Sequence, residues 1–182
     1  MLLAVLAFAA CGDDKASESE ATAAPTEEAT QAPTEAPTEA PTEAADSGSG
    51  SGEIKVTGEL GEKPTIETPG GDPPTELVSK DIKVGKGPAA KAGDNVSVQY
   101  VGALYKDGTV FDNSWDRGEA FQFGLGQGQV IPGWDQGVEG MKVGGRRVLT
   151  LPPDLGYGDA GAGASIPPGS TLVFVVDLEK IG

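Results

Sequence analysis

From Gly12 to Gly52 the chain carries no aromatic residue and no Val, Ile or Leu. Folding needs buried apolar surface to offset the entropy of ordering a chain, and this stretch has none to bury. It reads "GDDKASESEATAAPTEEATQAPTEAPTEAPTEAADSGSGSG", with A-P-T-E repeating from Ala32 to Ala44 before Gly and Ser take over. The composition predicts a disordered tether and confines any packed core to Glu53–Gly182. As a flexible coil the tether spans roughly 35–40 Å, and several times that if proline and charge repulsion extend it. A recognition motif hidden in the repeat is the alternative reading. Thr34, Thr38 and Thr42, beside prolines, are candidates for O-glycosylation.

Charge and residue counts remove several function classes. The formal charge is −15, and the tether alone holds ten acids against one base, Lys15. Phosphate backbones are read by basic patches, so no nucleic-acid partner is expected. The chain has no histidine. That excludes His-based acid–base work, Ser-His-Asp or Cys-His arrangements and nearly every zinc site worth proposing, and no metal ligands are assigned. Cys11 is the single cysteine, so no intramolecular disulfide can form.

The opening "MLLAVLAFAACGDD" resembles a bacterial lipoprotein signal peptide, with Phe8–Cys11 ("FAAC") as its lipobox. The resemblance implies a leader over 1–10, lipidation of Cys11, and a lipidated linker over 11–52. It also implies an extracytoplasmic protein anchored to the bacterial cell membrane as a lipoprotein. Phe8 stands where Leu is usual, and no positive region precedes the apolar run, which suggests a truncated start. About ten apolar residues are too few for a stable membrane span.

Residues 53–73 hold Gly, Pro and short β-prone pieces ("IKV", "TIET") and read as an N-terminal extension lying against a domain at 74–182. Most of that domain reads as strand. "NVSVQYVGALY" (Asn95–Tyr105) alternates, with Val96, Val98 and Tyr100 on one face. "KDG" is a turn, and "TVFD", "AFQFGL", "RRVLTLP" and "STLVFVVDLEKI" are further strands. The last puts Leu172, Phe174, Val176 and Leu178 together. The one convincing helix lies in "QVIPGWDQGVEGM" (Gln129–Met141), where Trp134, Val138 and Met141 are at helical spacing. Gly133, Gly137 and Gly140 each weaken it by roughly 0.5–1 kcal/mol relative to Ala. The class is α+β: one short helix on an antiparallel sheet. "GYGDAG" matches G-x-G-x-x-G at Gly156, Gly158 and Gly161, but two prolines follow where a dinucleotide site needs a helix. It is a loop.

Aromatic and β-branched residues recur beside glycines in "QYVG", "FQFGLG", "QVIPGW" and "GYG". "GTVFDNS", "VIPGWDQGVEGMKVGGRR", "LPPDLGYG" and "IPPGSTLVFVVDL", in that order, closely resemble the FKBP-type peptidyl-prolyl isomerases over about Pro74–Gly182. The resemblance implies a five- to six-stranded antiparallel sheet wrapped around one short helix. It implies isomerisation of Xaa-Pro bonds without a cofactor.

Residue by residue, it places Trp134 at the floor of a proline pocket. Tyr100, Phe111, Phe121, Val130, Ile131, Ile166 and Phe174 would line that pocket, with Val138 and Met141 anchoring the helix behind. Asp112 matches a carboxylate that orients Tyr100. The Ile131 N–H and the Tyr157 hydroxyl match donors to substrate carbonyls. Tyr100, Asp112, Ile131 and Tyr157 are thus the catalytic candidates, and Phe123 is core support. Without the resemblance Trp134 would read as ordinary core and Asp112 as a turn acid. Ala162 and Ser165 are small where many members carry His and a bulky apolar residue.

Such a site suits the chemistry. The amide barrier of ~18–20 kcal/mol comes from lost resonance, and proline makes cis and trans nearly isoenergetic. No bond is made or broken, so no nucleophile is required. Expected partners are proline-containing polypeptides, macrolide inhibitors, and the membrane through the lipid on Cys11; the protein is expected to be a monomer. A proline-segment or macrolide binding module with little turnover is the alternative. A solute-binding lipoprotein would need about twice the length.

Overall fold

The computed structural model describes residues 53–182; the leader, Cys11 and the tether lie outside the described residues. In chain order the strands are β1 (Lys55–Thr57), β2 (Thr65–Glu67), β3 (Val78–Lys83), β4 (Asn95–Leu104), β5 (Val110–Asn113) and β6 (Phe121–Gly124), then helix α1 (Pro132–Val138), β7 (Gly145–Leu151) and β8 (Leu172–Ile181). The five strand stretches read from the sequence correspond to β4 through β8. The sequence shows no alternation at β3 because all six of its residues are exposed.

β3-β7-β8-β4-β5 form one antiparallel sheet, and β6 also pairs with β4. The ten-residue β4 splits its free edge between two partners. Val96–Val98 face β6, and Val101–Ala103 face β5, with a register shift at Gly102/Ala103. The period of two then sorts the side chains. Val96, Val98, Tyr100, Leu149, Leu151, Leu172, Phe174, Val176 and Leu178 share one buried cluster with Trp134 and Val138 of α1. The opposite parity (Val101, Ala103, Val148, Val173, Val175) forms a second cluster.

The second cluster is covered by the β1–β2 hairpin, through Ile54, Val56 and Ile66. One arginine fastens this cover. Arg146, 2% exposed, makes two bonds of 2.6 and 2.7 Å to Asp177, 5% exposed. Two further guanidinium hydrogens go to the carbonyls of Gly58 and Glu62, both at 2.8 Å, in the hairpin loop. Tyr105 reaches the Asp72 carbonyl at 3.4 Å. Four of the five N–H donors of the buried cation are therefore used, two of them on a counter-charge, which is what makes burying it tolerable.

The weak helix is held by its surroundings. A Cβ on Gly133 would lie 2.4 Å from Leu151 Cδ2, and one on Gly137 would lie 2.6 Å from Leu149 Cδ2. The two glycines let α1 lie directly on β7. Arg147 donates to the carbonyls of Gly137 (2.9 Å) and Glu139 (3.1 Å), capping the C-terminal end. Asp81 of β3 anchors that same arginine at 2.6 and 3.0 Å. Gly140 has φ +76° and turns the chain out of the helix. Packing, rather than propensity, keeps this segment helical.

Candidate functional site

Trp134 is 4% exposed, and its ring is met edge-on from three sides. The centroid of Tyr100 lies 5.0 Å away at 85°, Phe174 5.2 Å at 89°, and Phe121 5.9 Å at 79°. Phe111 stands against Phe174 at 5.6 Å and 85°. Edge-to-face contacts of this kind fix ring orientation as well as burying area. They surround a cleft of about 400 Å³ lined by Tyr100, Phe111, Asp112, Phe121, Gln129, Val130, Ile131, Trp134, Tyr157 and Phe174.

Each wall has a local cause. Alternation on β4 and β8 sends Tyr100 and Phe174 to the helix face. The Asp135 carboxylate accepts the N–H groups of Gly126 (2.8 Å) and Gly128 (3.1 Å), which fixes the loop leading into α1. Gln129 accepts the Gly124 N–H at 2.9 Å. That loop delivers Val130 and Ile131 to the rim. The Ile131 carbonyl accepts from Trp134 and Asp135, whereas the Ile131 N–H takes part in none of the bonds of this turn. Phe123 stacks behind Phe121 at 5.6 Å and is buried.

On one wall three polar groups interlock. Tyr100 donates its hydroxyl to Asp112. Arg117 donates to Asp112 at 2.5 Å and to the Tyr100 oxygen at 2.8 Å, and its guanidinium lies 5.4 Å from the Tyr100 ring centre. Burial, then the bond to Asp112, pushes the Tyr100 hydroxyl up to about 12, against a smaller downward pull from Arg117. The same contacts with Tyr100 and Asp112 raise Arg117 above its ordinary value. Tyr100 thus stays a neutral hydroxyl at physiological pH.

Of the sequence candidates, nine lie together in the cleft: Tyr100, Phe111, Asp112, Phe121, Val130, Ile131, Trp134, Tyr157 and Phe174. Ile166 does not reach its lining. It pairs with Ala162 across a tight turn and its side chain is buried, 5% exposed, in the main core cluster. Ser165 is exposed. Three contributors escaped the sequence reading. Gln129 lines the cleft, and Arg117 sits on an exposed turn whose composition carries no functional signal. Gly102 of β4 is the third. A Cβ there would lie 2.8 Å from both Phe111 Cζ and Phe174 Cε1, so only glycine leaves room for both rings.

The cleft thus joins aromatic and aliphatic walls to a few polar groups, the Tyr100 and Tyr157 hydroxyls, Gln129 and the Asp112 carboxylate. The comparisons give that site a family. Residues 87–179 match the FKBP-type peptidyl-prolyl cis-trans isomerases. The chain is 60% identical over 121 residues to the FK506-binding protein of Streptomyces anulatus, covering 66% of this chain and 98% of that protein. It is 49% identical over 105 residues to the FK506-binding protein of Neisseria meningitidis, covering 58% of this chain and 95% of that one. Among solved structures it resembles the crystal structure of AtFKBP13, with a TM-score of 0.55 and 42% identity over 58% of this chain and 93% of that one. The chain belongs to the FKBP-type peptidyl-prolyl cis-trans isomerase family, and it is an enzyme of that type.

Proposed function

We propose that this isomerase accelerates Xaa-Pro isomerisation in extracytoplasmic polypeptides, using the aromatic cleft around Trp134 and no covalent chemistry. The observation carrying this reading is the cleft itself. Five rings and two aliphatic side chains surround a space of about 400 Å³, with Tyr157, 40% exposed, at its mouth. A proline ring seated against Trp134 leaves its amide near the Ile131 N–H and the Tyr157 hydroxyl. The twisted amide has less charge separation than the planar one, so a dry apolar wall favours it relative to water. Donors held in place then act on the carbonyl as resonance is lost. Asp112 and Arg117 hold the Tyr100 wall. The same cleft would take FK506-type macrolides, as the names of the relatives suggest.

The location is a separate part of the proposal. Cys11 at the end of the apolar run carries the lipid, and the tether holds the enzyme off the bacterial membrane, where slow proline steps limit secreted chains. Stable anchoring takes more than one acyl chain.

A protease-coupled assay on the full chain with several Xaa-Pro peptides tests the chemistry. Turnover well above the uncatalysed rate is expected; macrolide binding without turnover would favour the proline-binding module. Cys11→Ser is expected to leave the membrane fraction. Equal retention of that variant would remove the lipoprotein assignment.

A further inference from the structure

We infer that the β1–β2 hairpin is a positioning element of the isomerase site, acting through the 3-10 turn Trp115–Arg117. The inference rests on the assignment of Tyr100 and Asp112 to that site. Three consecutive residues carry it. Trp115 packs on the cluster that Ile54, Val56 and Ile66 of the hairpin share. Asp116 receives Lys63 Nζ from the hairpin loop at 2.7 Å on each carboxylate oxygen. Arg117, the next residue, grips Asp112 and Tyr100. Two residues of the turn are held by the hairpin, and the third holds the cleft wall.

The hairpin is a firm base for such a device. Arg146 fastens its loop at Gly58 and at Glu62, on the near side of Lys63. On the turn, Asn113 donates to Asp116 at 2.9 Å and accepts the Asp116 N–H at 2.8 Å, keeping that carboxylate aimed. The side chains of Lys63 and Asp116 are 42% and 66% exposed. A pair this exposed adds little to global stability. Small displacements of a group that shapes a site, by contrast, cost rate directly. Function is therefore where the loss of Lys63 should register.

The test uses full-length variants, measuring kcat/KM, melting temperature and the side-chain Nε–H resonance of Arg117. Lys63→Ala is expected to lower kcat/KM by about three- to fivefold, the scale of one exposed ion pair. Its melting temperature should fall by no more than a few degrees. Lys63→Arg should retain activity, and Lys63→Asp combined with Asp116→Lys should recover most of what either loses alone. Lys55→Ala breaks the 3.5 Å pair to Glu67 inside the same hairpin, away from the turn, and should behave as wild type. The Arg117 resonance should move in Lys63→Ala and stay in Lys55→Ala, a readout independent of turnover. An unmoved resonance, a loss matched by Lys55→Ala, or no recovery in the charge exchange would each overturn the inference.

Discussion

Gly133 of α1 lies so close to Leu151 of β7 that a methyl group on it would come within 2.4 Å of the leucine Cδ2. Leu151 is fully buried, so it has nowhere to go. Replacing Gly133 by Ala gains roughly 1 kcal/mol of helix propensity, while overpacking a dense core typically costs 1–3 kcal/mol. Gly133→Ala is therefore expected to destabilise, by about 1 kcal/mol net. Gly137→Ala, against Leu149, should do the same. Urea denaturation decides the sign; a stabilised variant would mean that α1 can ride away from the sheet.

Asp177 neutralises a cation with almost no access to water. Removing one partner of a buried pair strands the other, and typically costs 3–5 kcal/mol. Asp177→Ala is expected to lose that much in denaturant titrations. The β1–β2 hairpin should become protease-sensitive, because Arg146 would no longer be aimed at Gly58 and Glu62.

The Tyr100 hydroxyl gives a pH window. Its value rises from about 10 in an unfolded chain to about 12 in the fold. A raised acid favours the folded state while protonated, so its contribution is complete below about pH 10. It is lost as the pH climbs toward 12. Wild type should lose stability across that alkaline window in excess of Tyr100→Phe. Equal losses would remove Tyr100 as the cause.

Gly102→Ala should injure the cleft more than the fold. The added methyl meets the edges of Phe111 and Phe174 and must displace one of them. Phe111 is the less buried and should yield. A fall in kcat/KM of about tenfold is expected, on the scale of 1–2 kcal/mol of misplaced wall. Unchanged turnover would show that Phe111 is not needed there.

Tyr157→Phe should be mild. One neutral hydrogen bond is worth roughly 0.5–1.5 kcal/mol net, or about tenfold at most in rate. A thousandfold collapse in the isomerisation assay would imply proton transfer, which this reading does not contain.

A strand's period of two was enough to place strands at Asn95–Leu104 and Leu172–Ile181. It also grouped Val96, Val98 and Tyr100, and Leu172, Phe174, Val176 and Leu178, on shared faces; that these faces meet α1 was decided by the fold. The nine cleft residues were named through the family resemblance that motifs such as "GTVFDNS" and "IPPGSTLVFVVDL" carry, and the fold brings those nine to one cleft. The opposite faces of β4, β7 and β8 were legible only as surplus apolar residues. That the β1–β2 hairpin covers them was not, since its strands are three residues each and too short for a period to show. Nor could sequence pair Arg146 with Asp177, Lys63 with Asp116, or Gly102 with Phe111 and Phe174. These partners are far apart along the chain, or meet across the sheet, and carry no local signal. Sequence decided which residues want to be buried; only the tertiary structure decided where the buried charge finds its partner and which glycine makes room for two rings.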